Sequence, residues 1–338
     1  MALDLDFIRG LASFLDDNPC LDYDARVQIL YPLLDQLYKP EELMRVELDS
    51  GLILDYFYKS NIAKEILLRS RLKPSHAWEP MTTALVQLAL DFCPGNVLIG
   101  GAYFGDHALV AAHQLFKREQ PFKVVCVEPN SEQRNLLNAN AILNSLQEKI
   151  VLEDAVLWSE EGLCFELDNT DSHASVRQSN SSTYLSKTID TIVSKNKLES
   201  ISLLMLDIEG SEECALKGAS ELLSMPEDHA PIVIFEVHRK YVDWSNGLSN
   251  TSIVENLVGH GYTIYALRDC QSNWELDLEK PELIPLTNVV LDGPPHGFNV
   301  VASKSDKFFN PSRFNFVNNV SPKYLRHRSP SLHMPISL

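Results

Sequence analysis

Val97-Leu98-Ile99-Gly100-Gly101-Ala102-Tyr103-Phe104-Gly105-Asp106 is an apolar run that breaks into glycines and then passes into a helical pattern. Val97, Leu98 and Ile99 are β-formers that follow Pro94-Gly95, and Ala108, Ala111, Ala112, Leu115 and Phe116 recur at the spacing of one helix face. The stretch reads as strand, tight turn and helix N-terminus. Gly100, Gly101 and Gly105 allow a sharp turn and let a ligand approach the backbone, which points to a nucleotide-like cofactor. The same glycines would serve any doubly wound α/β protein that binds nothing, and their spacing is not the dinucleotide pattern G-x-G-x-x-G.

Downstream, apolar strands keep ending in acids. The run Phe122 to Val127 closes on Glu128-Pro129-Asn130, about twenty positions beyond Gly105, where α/β cofactor folds place the acid that binds ribose hydroxyls. Ile150-Val151-Leu152 leads to Asp154 on the same rim, in reach of an adenine amine; helix capping for Glu128 and plain solvation for Asp154 are the bland readings. Ile201 to Leu206 is a near-continuous apolar strand of the doubly buried kind, closing on Asp207-Ile208-Glu209-Gly210-Ser211-Glu212. Pro231 to Val237 closes on Glu236-Val237-His238, and Tyr262–Leu267 and Phe298–Ala302 read as further strands. The polar run Asn169 to Ser182 is expected to be a mobile surface loop closing over the site, with Arg177 as its grip on an acceptor.

Upstream, Phe7, Leu11, Phe14 and Leu15, then Val27, Leu30, Leu34 and Leu37, then Ile62, Ile66 and Leu67 suggest helices. Residues 1–90 are therefore read as a helical N-terminal region making lid, substrate or dimer contacts, and a homodimer is allowed. Its end, Trp78-Glu79-Pro80, breaks the periodicity just before the glycine stretch, where an indole and a carboxylate can cover a ligand or simply pack and solvate. Residues 91–305 form the α/β domain. Residues 306–338, rich in Asn, Ser, Pro and Arg, are read as a dispensable tail or a link to another domain or protein.

Composition sets the outer limits. In 338 residues, 45% apolar content supports a sizeable core, and a net charge of −17 disfavours nucleic-acid and anionic-membrane surfaces. Small molecules or neutral polymers are accordingly the expected partners. Six cysteines without a C-x-x-C pair suggest neither a disulfide framework nor a zinc site, and no other metal is assigned. The start Met1-Ala2-Leu3-Asp4-Leu5-Asp6 lacks signal-peptide character, so a cytoplasmic location is expected.

With Gly101-Ala102-Tyr103-Phe104-Gly105, Glu128-Pro129, Thr188-Ile189-Asp190 and the block Leu206-Asp207-Ile208-Glu209-Gly210-Ser211-Glu212-Glu213-Cys214-Ala215-Leu216-Lys217-Gly218-Ala219 in view, the chain resembles the FkbM family of methyltransferases over about Val97 to His238. The resemblance implies an S-adenosylmethionine-dependent O-methyltransferase of the class I type, with a Rossmann-like, seven-stranded, mostly parallel sheet. The family usually has an acid where Ile99 stands and Asn where Tyr103 stands, which makes Asp106 or Glu79 stand-ins toward the methionine end. Cofactor contacts are then expected at Glu79, Gly100, Gly101, Ala102, Tyr103, Gly105, Asp106, Glu128, Asp154 and Asp207.

Methyl transfer is an in-line displacement, so the chain must chiefly align acceptor oxygen, methyl carbon and sulfur. His238, Glu236 and Asp207 are the candidate catalytic groups, with His238 favoured as general base for a hydroxyl because its ordinary pKa is near neutrality. A carboxylate acceptor would need no base, and the clustered acids offer a divalent cation as an alternative activator. Two rival classes remain: a nicotinamide-dependent oxidoreductase, against which the glycine spacing stands, and a non-catalytic cofactor-binding module, for which Ile99 speaks.

Overall fold

A computed structural model describes residues 3–17, 26–168, 175–179, 184–276, 278–292 and 297–325. Its strands, in chain order, are β1 (Leu43–Glu47), β2 (Ile53–Phe57), β3 (Asn96–Gly100), β4 (Val124–Val127), β5 (Ile150–Glu153), β6 (Val156–Leu157), β7 (Cys164–Leu167), β8 (Val176–Gln178), β9 (Tyr184–Lys187), β10 (Ile201–Leu206), β11 (Ile232–His238), β12 (Thr263–Arg268), β13 (Glu282–Pro285), β14 (Gly297–Ser303) and β15 (Asn315–Phe316). The helices are α1 (Leu5–Asp17), α2 (Tyr31–Leu34), α3 (Asn61–Leu67), α4 (Pro80–Phe92), α5 (Asp106–Lys117), α6 (Ser131–Leu143), α7 (Ile189–Lys195), α8 (Glu212–Lys217), α9 (Ser220–Leu223) and α10 (Ser252–Gly259).

Nine strands form the main sheet in the order β15-β13-β12-β14-β11-β10-β3-β4-β5. From β5 to β11 neighbours are parallel, and β14 runs antiparallel between β11 and β12. These seven strands form the Rossmann-like, mostly parallel sheet expected from the sequence; β13 and β15 extend it beyond the expected seven. Each parallel strand is apolar on both faces because both are covered. Ile99, Met205 and Ile234 face α4, α5, α6 and the N-terminal region, whereas Leu98, Leu204 and Phe235 face α7, α8, α9 and α10. Strand order turns back at β3, which has β4 on one side and β10 on the other, and a crevice opens there at the carboxyl ends.

Two sequence-based boundaries need correction. Residues 1–90 are not purely helical: β1 and β2 form an antiparallel hairpin. Leu52, Leu54, Tyr56 and Tyr58 are buried at every second position, a strand period that the helical reading passed over. The hairpin docks on α6 through two asparagines. Asn140 accepts from the Asp55 N–H at 2.8 Å and donates to the Asp55 and Phe104 carbonyls at 2.9 and 3.0 Å, tying the hairpin to the glycine turn. Asn144 brackets Ile53 in the same way. The N-terminal region also shares one apolar cluster with the sheet, so no boundary separates it at residue 90.

Residues 306–325 are not a tail. Phe308, Phe309 and Phe314 are buried against one another and the sheet, β15 pairs with β13, and Tyr324 and Leu325 are buried. The aromatic spacing is irregular, so helical or strand periodicity could not reveal it. The remainder of the expected tail lies outside the described residues. Most of the polar run Asn169 to Ser182 does too, but residues 175–179 contain β8, which pairs with β7. No helix among the described residues is long and apolar enough to cross a membrane.

Candidate functional site

Two tight turns face each other across the crevice. In the first, after β3, the Gly101 and Gly105 backbones are left-handed (φ +76° and +97°) and so is that of Tyr103. A Cβ on Gly101 would lie 1.8 Å from the Asp207 carbonyl oxygen, so this glycine is required by contact between the two turns themselves. The second turn, after β10, has left-handed Glu209 and Gly210. Its shape is held by Glu212, whose carboxylate accepts from the Ile208 and Gly210 N–H groups at 2.8 and 3.0 Å. Burial pushes the Glu212 pKa up to about 7. In the Asp207-x-Glu209-Gly210-x-Glu212 block, the last acid is therefore scaffold, and the first two face the cleft.

The cleft wall is assembled from the ends of β3, β4, β5 and β10. Gly101, Ala102, Tyr103, Asp106, Glu128 and Asp207 line it, as do apolar Ile99, Val127, Ala155, Val156 and Leu157. Glu128 is fixed by two backbone donors, the Tyr103 N–H at 3.1 Å and the Asn130 N–H at 2.9 Å. Burial raises its pKa to about 7 against those hydrogen bonds. Trp78, Leu167 and Val176 add apolar surface from the helix-feeding turn and from the β7–β8 hairpin. Arg177 instead pairs across the hairpin with Glu166, at 3.2 Å.

Other sequence candidates lie elsewhere. Gly100 and Gly105 belong to the turn but not to the cleft lining; a side chain at Gly100 would strike Leu157 and Leu206. Asp154 is exposed and pairs with Arg134 at 2.9 Å, while Arg134 also clamps the Glu128 and Pro129 carbonyls at 2.7 Å each. Glu79 turns inward rather than toward the cleft: it sits buried at the left-handed start of α4 and accepts from Asn299 Nδ2 at 2.7 Å. Burial lifts its pKa to about 7.

The acceptor side is built at the ends of β10, β11 and β14. Glu236 and His238 share one face of β11, and Glu236 lies opposite Asn299 on β14. Burial, then the neighbouring Asp207 charge, drives the Glu236 pKa well above the carboxylate range. His238 Nδ1 accepts from the Lys240 N–H at 3.0 Å, which leaves the ring proton on Nε2 and makes His238 a donor, not the free base expected from its type. Asp207, Glu209 and Glu236 bring carboxylate oxygens within 4.8 Å of one another; clustering alone assigns no ion to them.

Sequence reasoning missed two residues here. Asp269, just after β12, caps α4 from far along the chain by accepting from the Met81 N–H, the Thr82 N–H and the Thr82 hydroxyl. Lys323, buried in the segment taken for a tail, places positive charge near Glu79, Glu236 and Asp269. Neither has a local motif.

Among curated proteins none matches the chain. Similar solved structures include an O-methyltransferase from Bacillus cereus in complex with SAH (13% identity, covering 68% of this chain and 84% of that one, TM-score 0.39). A SAM-dependent O-methyltransferase from Thermotoga maritima covers 81% of each chain at 15% identity and TM-score 0.34. A SAM-dependent methyltransferase from Agrobacterium tumefaciens covers 79% of this chain and 72% of that one at 10% identity and TM-score 0.40. Likenesses this distant add nothing to the topology described above. The model of the methyltransferase FkbM domain, by contrast, matches residues 100–264, which begin in the first glycine turn and end in β12. Over those residues, just under half of the chain, the protein is similar to the FkbM methyltransferases.

Proposed function

We propose that the protein transfers a methyl group from S-adenosylmethionine to a hydroxyl of a small-molecule, peptide or saccharide acceptor. The observation that supports this reading most is the buried Glu128, held by two backbone N–H groups at a strand end beside an apolar slot. A carboxylate so placed accepts from vicinal ribose hydroxyls, and Ala155, Val156 and Leu157 offer flat apolar surface to a base. Gly101, Ala102 and Tyr103 would flank the methionine portion, with Asp106 and Asp207 providing negative charge toward a cation. The donor set fits the cofactor, which carries a positive sulfonium and a ribose.

When bound, the cofactor supplies an electrophilic methyl carbon. The chain's own work is alignment and proton management. Trp78, with Leu167 and Val176 of the β7–β8 hairpin, sets apolar surface along the cleft, which disfavours water there. Glu236 is the residue suited to receive the acceptor's proton, because burial raises its basicity and no described residue donates a hydrogen bond to its carboxylate. His238, with its proton on Nε2, is suited to donate a hydrogen bond to an acceptor oxygen.

Calorimetric titration with S-adenosylhomocysteine tests the binding half, and NAD(P) is the control that an oxidoreductase would bind instead. Incubation of deuteromethyl-labelled cofactor with pools of alcohols, sugars and peptides, read by mass spectrometry, tests the transfer half. Binding without label transfer to any acceptor would favour a cofactor-binding module.

A further inference from the structure

Lys323 is the only buried lysine among the described residues, 5% exposed. Its position is imposed from both sides. The Asp269 N–H donates to the Pro322 carbonyl at 2.9 Å, the Tyr324 N–H donates to the Asp269 carbonyl at 2.8 Å, and the Arg268 guanidinium stacks on the Tyr324 ring at 4.2 Å. The stretch Pro322–Tyr324 is thus laid alongside the end of β12, which brings the Lys323 ammonium within charge–charge range of Glu79, Glu236 and Asp269.

Three carboxyl groups feel that charge: Glu79, Glu236 and Asp269. They are not equivalent. Asp269 is already satisfied by four donors, from Met81, Thr82 and Cys270. Glu79 accepts from Asn299. No described residue donates to Glu236, one of whose oxygens is packed so closely against β14 that a Cβ on Gly297 would lie 2.1 Å from it. Lys323 itself makes no ion pair within 4 Å among the described residues, so it acts on the pair through space. Apolar replacements of buried ion groupings are often neutral or stabilising, and a buried lysine is therefore a poor way to gain stability alone. Its neighbours Glu79 and Glu236 both feel the Asp207 charge, and it does not line the cofactor cleft.

We propose that Lys323 is a positioning residue for methyl transfer, its buried ammonium balancing Glu236 and Glu79 so that they keep their places beneath the acceptor side of Asp207. The proposal rests on the methyltransferase reading above. Without the ammonium, Glu79, Glu236 and Asp207 relieve their crowding by shifting apart or by holding protons more tightly, so the acceptor side loses its alignment while the cofactor cleft stays intact.

The test uses the full chain as K323M, which keeps the side chain's length, and K323R, which keeps its charge. S-adenosylhomocysteine affinity is expected to stay within about threefold of wild type in both. On the acceptor that the labelled-cofactor screen identifies, K323M should lose about a hundredfold or more in kcat with KM within about threefold, and K323R should recover at least about tenfold. Wild-type kcat in K323M overturns the proposal. A denaturant double-mutant cycle with E236Q needs no acceptor: coupling of at least about fivefold in the unfolding constant is expected, and additivity overturns the proposal. If K323M alone does not fold, K323M/E236Q should regain the fold because the unbalanced acid is gone; failure of the double variant to do so also overturns it. Absence of S-adenosylhomocysteine binding in wild type would strike the methyltransferase reading itself, and the cycle would still decide the Lys323–Glu236 coupling.

Discussion

The cofactor end and the acceptor end of this site are put together in opposite ways. The cofactor end is nearly consecutive: the turns and strand ends after β3, β4 and β5 follow one another in a single stretch from Gly100 to Leu157, closed by the turn after β10. The acceptor end collects Glu79, Asp207, Glu236, Asp269, Asn299 and Lys323 from across most of the chain. A local motif can announce the first kind of site, because strand, glycine and acid appear at fixed spacing. The second exists only once distant segments have packed.

The largest expected effect concerns the segment that completes the acceptor end. Ending the chain after Asp306 removes Phe308, Phe309, Phe314 and Tyr324, all buried. Loss of a buried phenylalanine costs about 3–5 kcal/mol, against a total stability of about 5–15 kcal/mol for a typical domain, so the shortened chain should not fold. Circular dichroism and thermal melting measure this; a shortened chain melting like the full one would make the acceptor end an optional addition and erase the contrast.

Next in size is Gly101→Ala. The new methyl would meet the Asp207 carbonyl at 1.8 Å on a backbone with φ +76°, so the two turns must separate. A loss of about 4 kcal/mol or more in denaturant unfolding is expected even without ligand. The sequence alone predicts intolerance at Gly101 because a side chain would occupy the ligand's space or force an unsuitable backbone. In the structure the second turn fills it. If the alanine variant is fully stable and only binding suffers, the earlier reason holds and the turns are more loosely joined than they stand here.

Glu128→Ala separates the ends directly. It removes an acceptor of hydrogen bonds from the cofactor's ribose, and bonds involving a charged group are worth about 1.5–3 kcal/mol, or about ten- to a hundredfold in S-adenosylhomocysteine affinity. Unchanged calorimetric affinity would remove Glu128 from the cofactor end. The buried acids also give a pH signature. Glu79, Glu128 and Glu212 are pushed from 4.5 up to about 7 by burial, so between those values the folded chain holds more protons than the unfolded one. Their stabilising contribution is full below about pH 4.5 and is lost as pH rises through 7, up to roughly 3 kcal/mol per group. Stability of the ligand-free protein should fall between pH 5 and 8, and the fall should shrink in Glu128→Gln; a flat profile contradicts the burial of these acids.

What was legible follows the same division. The central strands could be read because double burial makes them continuous apolar runs, as Ile201–Leu206 shows residue for residue. The acids at their ends came with them, since a parallel sheet places every strand's carboxyl end on one rim. The β1–β2 hairpin was missed although Leu52, Leu54, Tyr56 and Tyr58 alternate, because helical spacing on both sides dominated the window. Lys323 could not be found at all: a lysine among Ser, Pro and Asn reads as solvated, and only the backbone pairing with Asp269 buries it. Glu79 illustrates the limit between the two, since its place before Pro80 was visible but its direction was decided by Asn299 on a strand more than two hundred residues later.

The smallest effect is expected at Asp154, which the sequence placed against the adenine. Its side chain is 64% exposed and its partner is Arg134 at 2.9 Å, so its influence on the cleft passes through that arginine. Arg134 is already held by the Glu128 and Pro129 carbonyls, both at 2.7 Å, and an exposed ion pair contributes about 0–1 kcal/mol. Asp154→Asn should therefore change S-adenosylhomocysteine affinity by less than about fivefold, whereas Arg134→Met, which releases the two carbonyls behind Glu128, should cost more. The order of these two variants is the informative quantity. If Asp154→Asn weakens binding tenfold while Arg134→Met does not, the carboxylate reaches the base directly on ligand binding, and the cofactor end, like the acceptor end, depends on an arrangement that its own local sequence does not fix.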